Sequence, residues 1–386
     1  MRKFLKMDKE SKKKVRIFGI ASFLNDMGSD MIYPIWPLFV KSLGANMSVL
    51  GFLDGLGDAL VSISQAISGY FSDRIQKRKI FVWLGYLMGA ISRIGYSLSK
   101  NWVHLIPFRI LDRAGKIRSA PRDAIIADLS TDQDRGENFG FLRMMDNLGA
   151  VFGILLCILL VNFLGFEKLF LLASIPSLIG VVLILIFVKE QKRDSTKVFK
   201  GISLKSFTPQ FRHFLILSSI FSLGAFSYSF LLVFAKEFGF KVGFIPILYL
   251  IFTATAVLFS IPFGKLSDKI GRKKVLEISF FFWILVCLIF LFFKNYFGII
   301  LAFVFYGLHK GALEPSQRAF VSELVSQEIR ASALGGYQMI NGLFSLPASF
   351  LAGILWDKIG LFAPFSFSLF LTILALILLF NLKTTK

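Results

Sequence analysis

Gly69-Tyr70-Phe71-Ser72-Asp73-Arg74-Ile75-Gln76-Lys77-Arg78-Lys79 and Gly264-Lys265-Leu266-Ser267-Asp268-Lys269-Ile270-Gly271-Arg272-Lys273-Lys274 say nearly the same thing in two places. Each is a short basic turn between long apolar runs. The paired glycines and the paired aspartates each stand 195 residues apart. A repeated polar hinge in an apolar chain is the mark of a duplicated helical membrane protein.

Working outward from the hinges, composition sets the class. The chain has 386 residues, 55% of them hydrophobic, with 46 Phe and a mean hydropathy of +0.68. One soluble core cannot bury that much apolar surface. Crossing a bilayer takes about 20 residues of helix. Twelve stretches near that length fall at 15–40, 48–70, 80–99, 103–126, 139–163, 168–188, 212–236, 243–263, 275–294, 297–320, 333–355 and 361–382. The expected fold is therefore an all-α membrane protein of twelve spans, with an N-terminal six-helix bundle over 1–188, a linker over 189–210 and a C-terminal bundle over 211–386. No cleavable leader is expected, because the first apolar run continues through Tyr33-Pro34-Ile35-Trp36-Pro37 without a small-residue cleavage pattern.

Lys and Arg are retained on the cytoplasmic side of a membrane. They crowd the N-terminus, the two hinges and the linker (Lys189, Lys192, Arg193, Lys197, Lys200, Lys205), whereas the alternate loops hold Lys41, Lys100, Lys168, Lys236, Lys241, Lys294 and Lys358. Both termini are expected in the cytoplasm. The formal net charge of +20 is read as a topology signal and an attraction to anionic lipid, with no nucleic-acid partner, since these residues sit in short loops.

Cys157 and Cys287 fall inside spans of separate halves, and His104, His213 and His309 are scattered. No metal-ligand spacing, phosphate-cradling loop or nucleophile elbow is present in the sequence, so no metal, cofactor or catalytic activity is expected.

The repeat extends past the hinges. At the 195 offset Lys41 and Gly44 match Lys236 and Gly239, Ala124 matches Ala319, Asp128 matches Glu323, Arg135 matches Arg330, and Gly140 matches Gly335. One continuous register of six spans on six is the expectation.

With these residues in place, the chain resembles the major facilitator superfamily over nearly its full length. Both hinges fit the family pattern Gly-x-x-x-Asp-Arg/Lys-x-Gly-Arg/Lys-Arg/Lys through Gly69, Asp73, Arg74 and Arg78 and through Gly264, Asp268, Gly271 and Arg272, with Gln76 standing at a glycine position. The resemblance implies that Asp73 helps latch the cytoplasmic face and that spans 1, 4, 7 and 10 line a central cavity. The Arg118-Ser119-Ala120-Pro121-Arg122-Asp123 element resembles that of a poorly characterised prokaryotic branch. Span 5 lacks the Gly-Pro pair that marks many drug/proton antiporters of the superfamily.

The fourth span carries seven ionisable side chains between Phe108 and Asp123. Facing hydrocarbon, each costs roughly 2.5–3.5 kcal/mol on insertion scales, so they must face protein or water. On a continuous helix Arg109, Asp112, Arg113, Lys116 and Asp123 share one arc, while Arg118 and Arg122 lie opposite and are expected to snorkel toward the cytoplasm. Arg109 stands where many members of the resembled family carry an arginine tied to proton coupling. Asp26 and Asp30 lie one turn apart in span 1, beside Asn25; Asp54 and Asp58 repeat that spacing in span 2, and Asp146 with Arg143 opens span 5. These carboxylates either form structural ion pairs or exchange a proton as the cavity changes sides. Asp26 or Asp30 is the first candidate for that role and Asp112 the next.

Span 7 has no ionisable counterpart to Asp26 and Asp30, and span 10 holds Tyr306, His309, Lys310, Glu314, Gln317 and Arg318. Tyr228, Tyr306, Tyr337, Gln338 and Asn341 are candidate solute contacts. Gly51-x-x-x-Gly55, Gly85-x-x-x-Gly89 and Gly149-x-x-x-Gly153 offer small faces for helix packing. The resulting expectation is a monomeric proton-coupled transporter of a small organic solute in the cytoplasmic membrane, with efflux favoured over uptake; the cations of span 4 suit an anionic solute. A metal or metal-chelate exporter and a membrane-embedded sensor or enzyme are the alternatives.

Overall fold

The computed structural model describes residues 9–75, 77–131, 134–190, 208–293, 295–325 and 330–382. Gln76 and most of the 189–210 linker lie outside the described residues, as do the side chains of Asp73, Arg135 and Arg330.

The described chain is helical throughout. Span 1 is two helices, α1 (Lys9–Asp30) and α2 (Trp36–Ser42); span 2 is α3 (Met47–Ile75) and span 3 is α4 (Lys79–Leu98). Span 4 comprises α5 (Leu105–Ala114), a 3-10 turn over Gly115–Arg118 and α6 (Ser119–Leu129). Spans 5 and 6 join in α7 (Arg135–Phe187), which reverses at Gly165, where φ is 67°. Span 7 is α8 (Pro209–Gly224) and α9 (Ser229–Glu237), and spans 8 to 12 are α10 (Ile245–Ile270), α11 (Arg272–Phe292), α12 (Tyr296–Glu323), α13 (Arg330–Lys358) and α14 (Ala363–Asn381). Eight described helical segments are long and apolar enough to cross a membrane on their own, one of them long enough for two spans. Spans 1, 3 and 4 carry more polar residues and rely on their neighbours. Large apolar side chains such as Phe163, 85% exposed, and Leu258, 70% exposed, suit a lipid-facing exterior.

The breaks in spans 1, 4 and 7 have identifiable causes. Pro34 cannot donate the helical bond to residue 30, and the backbone tightens there to Ile32 N–Ser29 O and Ile35 N–Ile32 O, both 3.0 Å. In span 7 the Ser227 amide leaves the helical ladder and donates to Ser349 Oγ at 3.1 Å. Such a break is tolerated in a membrane where another helix satisfies the freed group. In span 4 the 3-10 turn fits against α4 because Gly115 and Gly85 are both bare; a Cβ on Gly115 would lie 2.7 Å from the Gly85 carbonyl.

By contacts the chain divides into two units, Met1–Phe39 with Leu60–Phe199, and Val40–Ala59 with Lys200–Lys386. In the first, α1 packs along α7, with bare Gly149 and Gly153 against the Phe23 and Met27 backbone. In the second, α12 lies between α10 and α11, and Phe221 stacks on Phe280 with centroids 4.2 Å apart.

The single 195 register is corrected by the side chains. Arg78 binds Asp128 at 2.8 Å and Arg272 binds Glu323 at 3.1 Å. Lys79 donates to the Leu185 carbonyl and Lys273 to that of Phe380, both at 2.9 Å. Asn101 and Asn295 each accept backbone amides at the start of the following helix. The partners Asp128/Glu323 and Leu185/Phe380 keep the 195 offset, whereas Arg78/Arg272, Lys79/Lys273 and Asn101/Asn295 are 194 apart. The first hinge uses one more residue than the second, which turns on Gly271 at φ 97°.

Candidate functional site

The charged residues of the first unit form two adjoining clusters around span 4. The 3-10 turn changes the rotation of everything after Gly115, so the single arc expected for a continuous helix does not hold. Arg118 and Arg122 do not snorkel: they are 6% and 5% exposed and point into the unit.

Arg122 lies 3.2 and 3.3 Å from the two carboxylate oxygens of Asp146 and also donates to Ser22 Oγ, which in turn donates to Asp146. Its Nε is 3.2 Å from Asp123, and Arg143 closes the ring with contacts of 2.7 Å to Asp123 and 3.1 Å to Asp146. Two guanidiniums thus balance two carboxylates where α1, α6 and α7 meet. A network this fully bonded fixes helix positions.

The second cluster is looser. Asp26 accepts from Asn25 Nδ2 at 3.0 Å and lies 3.8 Å from Arg118 Nη2, a separation set by charge attraction without a direct hydrogen bond. Arg118 spends another donor on the Gly115 carbonyl and lies over the Tyr86 ring. Toward the α5 end, Arg109 sits 4.3 Å from the centroid of the Trp36 ring, and Arg113 donates to Tyr33 at 3.3 Å while its Nε is 3.5 Å from Asp112. Tyr33 and Trp36 flank Pro34, so the broken part of span 1 supplies the aromatic faces for the span 4 arginines. Asp30 is partly buried on α1, and Lys116 makes no ion pair with any described residue.

Arg93 does not stand out in the sequence pattern. This arginine, 2% exposed in the middle of α4, donates to the carbonyls of Ala173 and Asn25 and to Ser29 and Ser177. Ser177 also donates to Asn25 Oδ1 at 3.0 Å. Arg93 therefore holds the backbone and side chain next to Asp26. A lone cation inside an otherwise apolar span was the available signal.

In the second unit Tyr228, Tyr249, Phe252 and Tyr306 form a chain of ring contacts with centroids 4.8–5.3 Å apart. Lys310 lies over the Tyr306 ring at 5.7 Å, and exposed Asp58 and Glu314 act on both electrostatically. Asp54 accepts from Ser227 at 2.7 Å, so a carboxylate from α3 serves the break in span 7. His309 is buried and turned toward α11, its Nδ1 2.9 Å from the Ser279 carbonyl. Because a carbonyl can only accept, Nδ1 carries the proton. Asn341 accepts from Ser222 at 3.3 Å, and Gln338 is exposed on α13. At the hinges Arg74 is exposed, Asp268 pairs with Arg272 at 2.5 Å, and a Cβ on Gly264 would meet open space, while one on Gly69 would make ordinary contact with Ala120.

A duplicated set of helical spans, broken in spans 1, 4 and 7 and holding buried charge in the first unit, fits a multi-pass membrane transporter. The profile of the Major Facilitator Superfamily matches residues 18–234 and 213–386, and the chain belongs to that superfamily; it is a secondary transporter, not an enzyme. It is 40% identical over 359 residues to an uncharacterised MFS-type transporter of Methanocaldococcus jannaschii, covering 90% of each chain. It is 25% identical to Multidrug resistance protein 2 of Bacillus subtilis, covering 92% of this chain and 91% of that one. Among solved structures it is similar to a POT family transporter in complex with 5-aminolevulinic acid, at a TM-score of 0.78 and 15% identity, covering 96% and 95% of the two chains. That last likeness concerns the fold.

Proposed function

We propose that this transporter is a proton-coupled exporter of small amphipathic organic solutes, working by rocker-switch alternating access in the cytoplasmic membrane with both termini inside. The observation that carries the reading is the contrast between two carboxylates. Asp146 is bonded by two arginines and a serine, whereas Asp26 is 23% exposed and faces Arg118 across 3.8 Å. A carboxylate that can reach water, beside a cation that does not lock it, can take up and release a proton as its surroundings change.

Tyr228 and Phe252, the half-buried members of the ring chain, supply flat apolar surface for the body of a solute, and Asp58 and Glu314 supply negative charge beside the chain. Most of the span 4 cations are already matched by carboxylates or rings, which reduces the attraction for an acidic solute. A basic solute competes with the proton for a carboxylate, and competition of that kind gives exchange of one for the other. The name of the Bacillus subtilis relative, a multidrug resistance protein, supports outward transport.

Lys116, without an ion-pair partner among the described residues, favours a second reading. An acidic solute that displaces Asp26 from Arg118 binds only when Asp26 is protonated, and it then travels with the proton. Proteoliposomes with a pH-sensitive dye inside separate the two. An aromatic cation such as ethidium is expected to move against the proton, and an aromatic carboxylate to leave the internal pH unchanged. Proton entry alongside the carboxylate, without exchange for the cation, would establish the second reading. Neither flux under any gradient would refute proton coupling.

A further inference from the structure

The start of α3, at the end of that helix remote from the basic hinge, is bound by the last turn of α13. Asp357 accepts from the Met47 amide at 3.1 Å, the Ser48 amide at 2.7 Å and Ser48 Oγ at 2.5 Å. The next amide, Val49, is taken by Asn46 Oδ1 at 2.9 Å. A carboxylate at a helix N-terminus meets both unpaired donors and the positive end of the helix dipole. Nearby, Lys41 and Glu237 pair at 2.5 Å.

Beneath these polar contacts the two helices touch backbone to backbone. A Cβ on Gly55 would lie 2.6 Å from Leu346 Cα, and one on Gly353 would lie 2.6 Å from Ser48 Cα. Bare surfaces of this kind seal tightly but can part without side chains untangling. Asp357 and the Ser48 amide face solvent, so water can replace each hydrogen bond as it breaks. The contact is therefore suited to repeated opening, in contrast to the ring of ion pairs around the buried Arg122.

We propose that Asp357 is a positioning residue for transport, a latch that holds this end of the protein shut by capping α3 and lets go once per transport cycle. The proposal rests on the alternating-access reading above. Met47 and Ser48 precede the first hinge in the chain and Asp357 follows the second, so the latch joins segments from the two sequence repeats. It lies at the end opposite the hinges and is built from a carboxylate and backbone amides instead of a basic motif.

The test reads access directly. A thiol placed by Phe52→Cys sits on α3 opposite Phe350, whose ring centroid is 6.2 Å from that of Phe52, and native Cys157 and Cys287 are buried. Labelling by a membrane-impermeant maleimide is expected to speed up about tenfold in the Asp357→Ala background, which corresponds to about 1.4 kcal/mol. Asp357→Glu should return it toward the parent rate, and Ser48→Ala, losing one bond of three, should raise it about threefold. The thermal midpoint should stay unchanged. Parental rates in both Asp357→Ala and Ser48→Ala would overturn the proposal, as would faster labelling accompanied by a lowered midpoint, which marks a structural role. If Asp357→Ala speeds labelling as expected but no transported solute alters it in the parent, the latch stands and the alternating-access reading fails.

Discussion

Arg122 reaches both carboxylate oxygens of Asp146, at 3.2 and 3.3 Å, from a side chain that is 7% exposed. The pair ties α6 to α7 and, through Ser22, to α1. Removing one member leaves the other with one remaining opposite charge, Asp123 for Arg122 or Arg143 for Asp146, so the cost lies below the value of about 3–5 kcal/mol for breaking an isolated buried pair. Arg122→Ala and Asp146→Ala are each expected to lower the thermal midpoint strongly in detergent. The double variant should lose less than the sum of the two, by about 1–3 kcal/mol; additive losses would show that the two side chains are not energetically coupled.

Arg93 gives a second prediction. Its replacement by Leu removes a donor from Ser29, Ser177 and the Asn25 and Ala173 carbonyls, the carbonyls keeping their own helical bonds, with a cost of about 1–3 kcal/mol for each buried group left unsatisfied. Arg93→Leu should fail to yield monodisperse protein, and Arg93→Lys should fold with a lowered midpoint because an ammonium cannot span the same fork. Size-exclusion profiles and thermal scans decide it.

The hinges make a third. Gly271 has φ 97° and ψ 147°, a conformation close to the region reserved for glycine, where a Cβ costs about 1–3 kcal/mol. Gly264 lies inside α10 with open space around its missing Cβ, and alanine there should stabilise the helix by about 0.5–1 kcal/mol. Gly271→Ala is therefore expected to melt earlier than the parent and Gly264→Ala no earlier. Equal effects would mean that the shared glycine pattern, and not backbone geometry, sets the requirement.

The twelve spans were legible because apolar length and the positions of basic loops follow directly from the cost of placing backbone and charge in lipid. What the sequence concealed was local. Pro34 lies in plain view, yet the break at Gly115 has no proline, and it alone turns Arg118 and Arg122 inward. The slip from 195 to 194 was hidden because Lys77-Arg78-Lys79 and Arg272-Lys273-Lys274 offer a basic residue at either register; their partners, among them Asp128 and Glu323, distinguish them. Arg93 was overlooked because a single cation breaks no hydropathy window, although its burial forces four polar neighbours to gather around it. Asp357 reads as an ordinary loop aspartate until Met47 and Ser48 are brought to it from far along the chain.

A fourth prediction concerns the ring chain. Tyr228→Ala removes accessible flat surface from the ring chain and is expected to weaken solute binding about tenfold while lowering the thermal midpoint of the free protein only modestly, whereas Tyr306→Ala, at a residue 4% exposed, should lower the midpoint as well. His309→Ala, which empties a packed position against Ser279 and Trp283, should instead act on stability. Ligand-induced thermal shifts with aromatic cations compare them. A loss of binding in His309→Ala at unchanged stability would place the solute on the α11 side of that residue.

The central claim is that Asp26 carries the coupled proton, and solute accumulation in proteoliposomes under an imposed pH gradient tests it most directly. The account predicts that Asp26→Asn, correctly folded, loses gradient-driven accumulation altogether. Accumulation by Asp26→Asn at the parental level, with protons still exchanged, would contradict it.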